Sequence, residues 1–190
     1  MKKLFIALLS LLSLSNAQEL LEKELDCSLF ENISEFEGKY YAKSVSPMGL
    51  EEALSLIEHS NATIAIPKSK QENEFLTKLS NVNDDLNATF IGIYDPTYTA
   101  NYCYEDDKCL FDVSRFVSLA KKPLYFRAFD EKEPNNRPLE QNASDFTKFK
   151  GEHYVVIKPN GKWADVGFKE RHKVLFEFKS KPNCINEKKE

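Results

Sequence analysis

Glu133-Pro134-Asn135-Asn136, Glu152 and Trp163-Ala164-Asp165 hold the side chains best suited to chemistry in this chain. Together they supply three carboxylates and two amides, hard oxygen donors of the kind that calcium takes. An X-Pro bond is the one peptide at which the cis isomer is cheap, so a cis Glu133-Pro134 bond would aim the Glu133 and Asn135 side chains at one point. Glu-Pro-Asn alone is a turn sequence, since proline and asparagine are ordinary turn residues. Its meaning depends on what the rest of the chain brings to it.

Other chemistries find less support. His59, His153 and His172 are scattered and no Cys-x-x-Cys pair occurs, which disfavours zinc. His153 beside Glu152 is the only pair with an acid-base reading, and it reads as a bystander at the rim of the loop. No nucleophile elbow, phosphate-cradling loop or metal-hydrolase motif is present, so the chain is not expected to be an enzyme.

The 190 residues suffice for one domain with a sizeable core, and 42% hydrophobic with 29% charged residues is ordinary for a globular protein. Residues 1–17 read as a signal peptide: Lys2 and Lys3, an apolar run of 11 residues from Leu4 to Leu14, then Ser15-Asn16-Ala17 for cleavage. The run is too short to span a bilayer comfortably, and no membrane insertion is expected after cleavage. Losing the two lysines leaves 24 basic against 30 acidic residues, a net charge of −6. Such a chain is a poor ligand for nucleic acid or an anionic membrane. The expected location is periplasmic or extracellular, at or beyond the cell surface.

Export fits an even set of cysteines. Cys27, Cys103, Cys109 and Cys184 allow three pairings. The expected ones are Cys103 with Cys109, closing a short acidic loop, and Cys27 with Cys184, tying the ends of the domain. In the chain-entropy view the long closure contributes about 5 kcal/mol and the short one roughly 2. Asn-x-Ser/Thr occurs at Asn32, Asn61, Asn87 and Asn142. Asn87 and Asn142 also carry an acidic residue two positions earlier, Asp85 and Glu140, which resembles the extended acceptor of bacterial N-glycosylation systems.

The elements that must position the donors follow in order. Residues 18–37 read as an N-terminal extension, with a short charged helix or ordered tail from Glu19 to Asp26. Lys39 to Lys43 reads as a strand after Gly38. Ser46 is placed as a helix N-cap with Pro47 at the first helical position, for a helix to about His59 with Leu50, Ala53, Leu54 and Ile57 on one face. His59 in the last turn reads as a partner of the helix dipole. Ala62 to Pro67 alternates as a strand, and Ser69-Lys70-Gln71-Glu72 is a capping box for a second helix with Phe75, Leu76 and Leu79 inward. Phe90 to Asp95 is a buried strand, followed by a long connection to about Phe129, of the kind that tends to be functional. Tyr154 to Ile157 and Lys162-Trp163 flank Asn160-Gly161, a two-residue hairpin signal that sets residue 154 opposite 167. His172 to Phe178 is the last strand, and 179–190 a charged tail.

Residues from about 38 to 178 resemble a C-type lectin domain, here as an exported bacterial member. The matching stretches run in family order: Leu50-Glu51-Glu52-Ala53, Thr63-Ile64-Ala65-Ile66-Pro67, Glu72-Asn73-Glu74-Phe75-Leu76, Phe90-Ile91-Gly92-Ile93, Pro123-Leu124-Tyr125 leading to Phe129, Glu133-Pro134-Asn135, and Gly161-Lys162-Trp163-Ala164-Asp165. The resemblance implies an α+β fold with two helices, small antiparallel sheets and a long irregular loop region. The family's two disulfides would fall at Ile57 with Phe176 and at Tyr154 with Phe168, so apolar pairs stand where cysteines are usual. Two such buried side chains are worth roughly 3 to 6 kcal/mol by area.

The resemblance also implies a calcium site made of Glu133, Asn135, Glu152 and Asp165, with sugar hydroxyls bound to the ion and to Glu133, Asn135 and Glu152. Ala164 stands where the family has an asparagine ligand, which should weaken calcium by at least the roughly 10- to 100-fold cost of outer-shell changes. Two readings result: a calcium-dependent carbohydrate-binding module for sugars of the mannose or glucose type, whose partner is a glycan or glycoprotein, or a calcium-independent lectin-like adhesin or protein-interaction domain.

Overall fold

The computed structural model describes residues 26–58, 60–84, 87–96, 112–135, 152–167 and 169–182. The signal peptide, His59, Cys103, Cys109, Asn142, Phe168 and Cys184 lie outside these residues, and with them both expected disulfide pairings. Cys27 itself is disulfide-bonded.

Among the described residues, eight strands and two α-helices make up an α+β arrangement: β1 (Phe30–Phe36), β2 (Lys39–Ser44), α1 (Leu50–Ile57), β3 (Ala62–Ile64), α2 (Lys70–Ser80), β4 (Thr89–Tyr94), β5 (Val117–Ser118), β6 (Glu152–Ile157), β7 (Trp163–Gly167) and β8 (Lys173–Phe178). The strands join in the order β1-β2-β8-β4-β6-β7, with β3 on β8 and β5 on β4. Pairing is antiparallel except between β4 and β8, where Thr89 and Phe90 run parallel to Lys173 and Val174. The sheet is therefore mixed rather than a set of small antiparallel sheets. Residues 30–36, read from sequence as part of an extension, form β1 against β2.

Both faces of the sheet are covered, and side-chain alternation sorts the core into two layers. Phe90, Tyr154, Val156, Ala164, Val166, Val174 and Phe176 face α1 with Leu50, Ala53 and Ile57. Ile91, Ile93, Val155, Ile157, Trp163 and Leu175 face α2 with Leu76 and Leu79. Ile57 and Phe176, placed by resemblance where a disulfide is usual, share the α1 layer.

Two helix starts illustrate local against tertiary control. Ser69 caps α2 as expected, its hydroxyl accepting from Glu72 N at 3.1 Å. The return bond of the capping box is displaced by one residue, because the Glu72 carboxylate takes Lys68 N at 2.8 Å and the Tyr41 hydroxyl at 2.7 Å. The first helix begins at Leu50 behind Gly49, not at Pro47. Met48 exchanges both backbone bonds with His172, at 2.9 and 3.2 Å, so a helix cannot start until that bridge is left behind. Leu54, expected inward, is 39% exposed.

Gly92 marks the tightest backbone approach in the sheet. A Cβ there would meet Ile64 O at 2.7 Å and Ile66 Cγ1 at 2.9 Å, while Gly92 N bonds Ala65 O at 2.8 Å. Gly92→Ala is expected to cost about 2 kcal/mol through forced separation of β4 from residues 64–66, measured as a lower urea midpoint at unchanged slope. An unchanged midpoint would show that the backbone yields freely there.

Candidate functional site

The β6–β7 hairpin sets where Glu152 and Asp165 stand. Lys158 and Lys162 close it, with Lys158 N on Lys162 O and Gly161 N on Lys158 O, both at 2.8 Å. Gly161 has φ of +79°. The loop is thus three residues long, 159–161, with glycine in the left-handed position. The expected two-residue turn fails because it would pair residue 159 with residue 162, and a proline has no N–H for that ladder position. The register shifts by one, and Tyr154 lies opposite Val166 instead of Gly167.

A bulge then decides on which face Glu152 emerges. Val155 pairs with Asp165 and Tyr154 with Val166, but Glu152 pairs with Gly167. One extra residue on β6 reverses the alternation beyond it, so Glu152 shares the α2-side face with Gly167 and Asp165. Without it, Glu152 would point into the opposite layer. The extra residue leaves His153 only 2% exposed, so His153 is a buried residue and not a rim bystander.

Trp163 carries the other half of the site. Its ring is buried, donates Nε1 to Asn73 Oδ1 at 2.8 Å, and meets Phe126 and Phe129 edge-on at 5.6 Å. Its backbone holds residues 128–130 through an isolated parallel bridge at Phe129, Trp163 N to Ala128 O and Asp130 N to Trp163 O, both at 2.9 Å. Asp130 opens the turn that reaches Glu133, whose N bonds Asp130 O at 3.1 Å. The Asp130 carboxyl is ion-paired with Lys158 and also accepts from Glu131 N. These two contacts, the Lys158 hydrogen bond foremost, hold it below the usual carboxylate range.

From this turn the Glu133-Pro134 peptide is cis. Asn135 N donates to Asp165 Oδ1 at 2.9 Å, and Asn135 Nδ2 donates to Glu133 Oε2 at 2.6 Å. Glu133, Asn135 and Asp165 are thereby brought together across 32 positions of sequence. Asp165 is 3% exposed, whereas Glu133, Asn135 and Glu152 are half-buried. Ala164 faces the opposite layer, packed with Tyr154, Val156 and Val166.

The donors suit a hard cation in kind: carboxylates of Glu133, Glu152 and Asp165 and the amide oxygen of Asn135. They are not drawn tight. Among the described residues no three His, Cys, Asp or Glu side chains are close enough to hold a metal ion. N–H groups of Asn135 occupy one oxygen of Glu133 and one of Asp165.

Three residues beside the site carry no functional signal in the sequence. Asn73 joins α2 to the hairpin, its Nδ2 on Gly161 O at 2.9 Å and its Oδ1 on the Trp163 ring. Nothing local marks it, because its partners lie about 90 residues away. Asp95 and Arg115 form a buried ion pair at 3.3 Å beside the bulge, where Asp95 N bonds His153 O at 2.8 Å. From sequence Asp95 reads as the last residue of a buried strand before Pro96, and nothing nearby marks Arg115 as its partner.

No protein-family model matches the chain. Solved structures do. The carbohydrate-recognition domain of the mouse scavenger receptor C-type lectin aligns with a TM-score of 0.57 at 18% identity, covering 80% of this chain and 96% of that one. The C-type carbohydrate-recognition domain of cow CD23, solved in the presence of a GlcNAc2Man3 oligosaccharide, aligns at 0.54 and 21%, covering 77% and 92%. The C-type lectin CEL-I from Cucumaria echinata aligns at 0.54 and 14%, covering 79% and 94%. The chain has the C-type lectin-like fold.

Proposed function

We propose that this chain binds carbohydrate in a calcium-dependent way through Glu133, Asn135 and Glu152, with Asp165 as the fourth metal ligand. The observation that carries the reading is the Asn135 bridge, which joins Glu133 to Asp165 through two hydrogen bonds. Bound calcium would supply a Lewis-acidic contact for sugar hydroxyls. The protein's part is to hold acceptors in place: the Trp163 backbone fixes the loop, the bulge turns Glu152 to the same face, and Asn135 presents its amide beside two carboxylates. Sugars with equatorial 3- and 4-hydroxyls, of the mannose or glucose type, are the proposed ligands, on a glycan or glycoprotein partner, with no catalysis. A glycan array in calcium and in chelator tests this. Signals for such sugars that vanish in chelator are expected, and chelator-resistant or absent signals would contradict it.

Ion binding stabilises only the folded state, so calcium at about 100 times its dissociation constant should add about 2.7 kcal/mol and raise Tm. Glu152→Ala is expected to abolish the rise. One observation favours the second reading, a calcium-independent adhesin or protein-interaction domain: the acidic side chains do not close on one point. Under that reading millimolar calcium leaves Tm unchanged.

The proposed setting is the periplasm or cell exterior. The disulfide at Cys27 accords with an oxidising compartment. Asn87 is exposed in the connection before β4, as a glycan acceptor must be. No helix among the described residues is long and apolar enough to cross a membrane.

A further inference from the structure

We infer that the cleft between α2 and the β6–β7 turn is a second binding site, independent of calcium, for an acidic oligosaccharide. The cleft encloses about 520 Å³. It uses none of Glu133, Asn135, Glu152 or Asp165.

Its charge is opposite to that of the chain. Lys70, Lys78, Arg127 and Lys162 line it against a single acid, Glu74, whereas the whole sequence has 26 basic and 30 acidic residues. Glu74 does little to offset them: its contact with Lys70 is 3.8 Å long between side chains 81% and 59% exposed, a geometry that contributes little. Among the described residues Lys78 and Lys162 enter no ion pair. Arg127 is held by Nε on Val113 O at 3.3 Å, which orients its guanidinium.

Spacing and walls select the class of ligand. Lys70 and Lys78 lie eight residues apart on α2, roughly 12 Å along its axis. One phosphate ion cannot meet both, but a chain with repeated anionic groups can. Between the cations the wall is apolar, with Phe126 half-buried and its ring edge-on to Trp163. Such a wall suits the C–H face of a sugar ring. The cleft is also pre-formed, since Asn73 ties one wall to the other through Gly161 O, and a Cβ on Gly161 would come within 3.0 Å of Thr77 Oγ1.

The test is fluorescence anisotropy of the full chain with a labelled, heparin-derived hexasaccharide in EDTA. Binding is expected to persist in chelator, to weaken with salt, and to fall about tenfold in K78A/K162A. The Tm of that variant should change little, as both lysines are exposed and enter no ion pair among the described residues. Arg127→Gln provides a second variant, with a smaller expected loss. Wild-type affinity in both variants would overturn the proposal. So would loss of binding in EDTA, which would move the sugar to the carboxylate site, or equal displacement by a single-stranded oligonucleotide of matched charge, which would make the cleft a nucleic-acid site. Failure of the calcium reading leaves all these expectations intact.

Discussion

Trp163→Ala is expected to destabilise the fold by about 4 kcal/mol, the usual cost of emptying a buried tryptophan site. The ring is fully buried, touches Phe126 and Phe129 edge-on, and satisfies Asn73. Removing it leaves a cavity and strips Asn73 Oδ1 of its donor, so both the volume and the polar penalty apply. The damage should reach beyond stability. Residues 128–130 dock on the Trp163 backbone, and through them Glu133 is positioned. Urea denaturation measures the first effect. Amide exchange measures the second, with the 128–135 amides losing protection ahead of those in β2 and β8. Trp163→Phe separates the two causes: it keeps most of the volume but lacks the indole donor, and about 2 kcal/mol of loss is expected.

Lys43→Met should cost about 3 kcal/mol, the range for breaking a buried charge network by removing one partner. Lys43 is fully buried, and its Nζ donates to Ser80 O at 2.8 Å and Val82 O at 3.0 Å while meeting Glu31 at 3.2 Å. Methionine fills much the same space yet leaves two carbonyls at the end of α2 without their donor. Lys173 also pairs with Glu31, at 3.0 Å but 20% exposed, so Lys173→Met should lose less.

A pH signature accompanies this. Burial works against the Glu31 charge, but the hydrogen bonds from Lys173 and Lys43 outweigh it and hold its carboxyl below the ordinary 4.5. A carboxyl depressed by folding contributes stability above its unfolded value and loses it as pH falls through the folded value. Wild-type Tm should therefore drop as pH is lowered past 4.5, and the drop should be shallower in Lys43→Met. Parallel profiles would show that Lys43 does not act through Glu31.

What could be read from sequence was what depends on near neighbours. Ser69 three positions before Glu72 announced the α2 cap, the apolar run at Phe90 announced β4, and a proline after Glu133 allowed the cis bond that the structure contains. Partnership across the chain was not readable. Nothing at Pro47 reveals that Met48 is committed to His172, and nothing in β4 reveals a parallel partner in β8. At the candidate site the identities of Glu133, Asn135, Glu152 and Asp165 could be proposed, but not the bulge that turns Glu152 to the face of Asp165. Asn160-Gly161 suggests a two-residue turn, but the missing N–H of Pro159 rules out the shorter loop and the register moves by one.

Calcium titration by calorimetry tests whether Glu133, Asn135, Glu152 and Asp165 form one cation site. One ion per chain is predicted, with a dissociation constant on the order of 10⁻⁴ to 10⁻³ M, as for extracellular modules. Asp165→Ala, which removes both a carboxylate and the acceptor for Asn135 N, should abolish the heat. No heat at millimolar calcium, or heat unchanged in Asp165→Ala, would contradict the account.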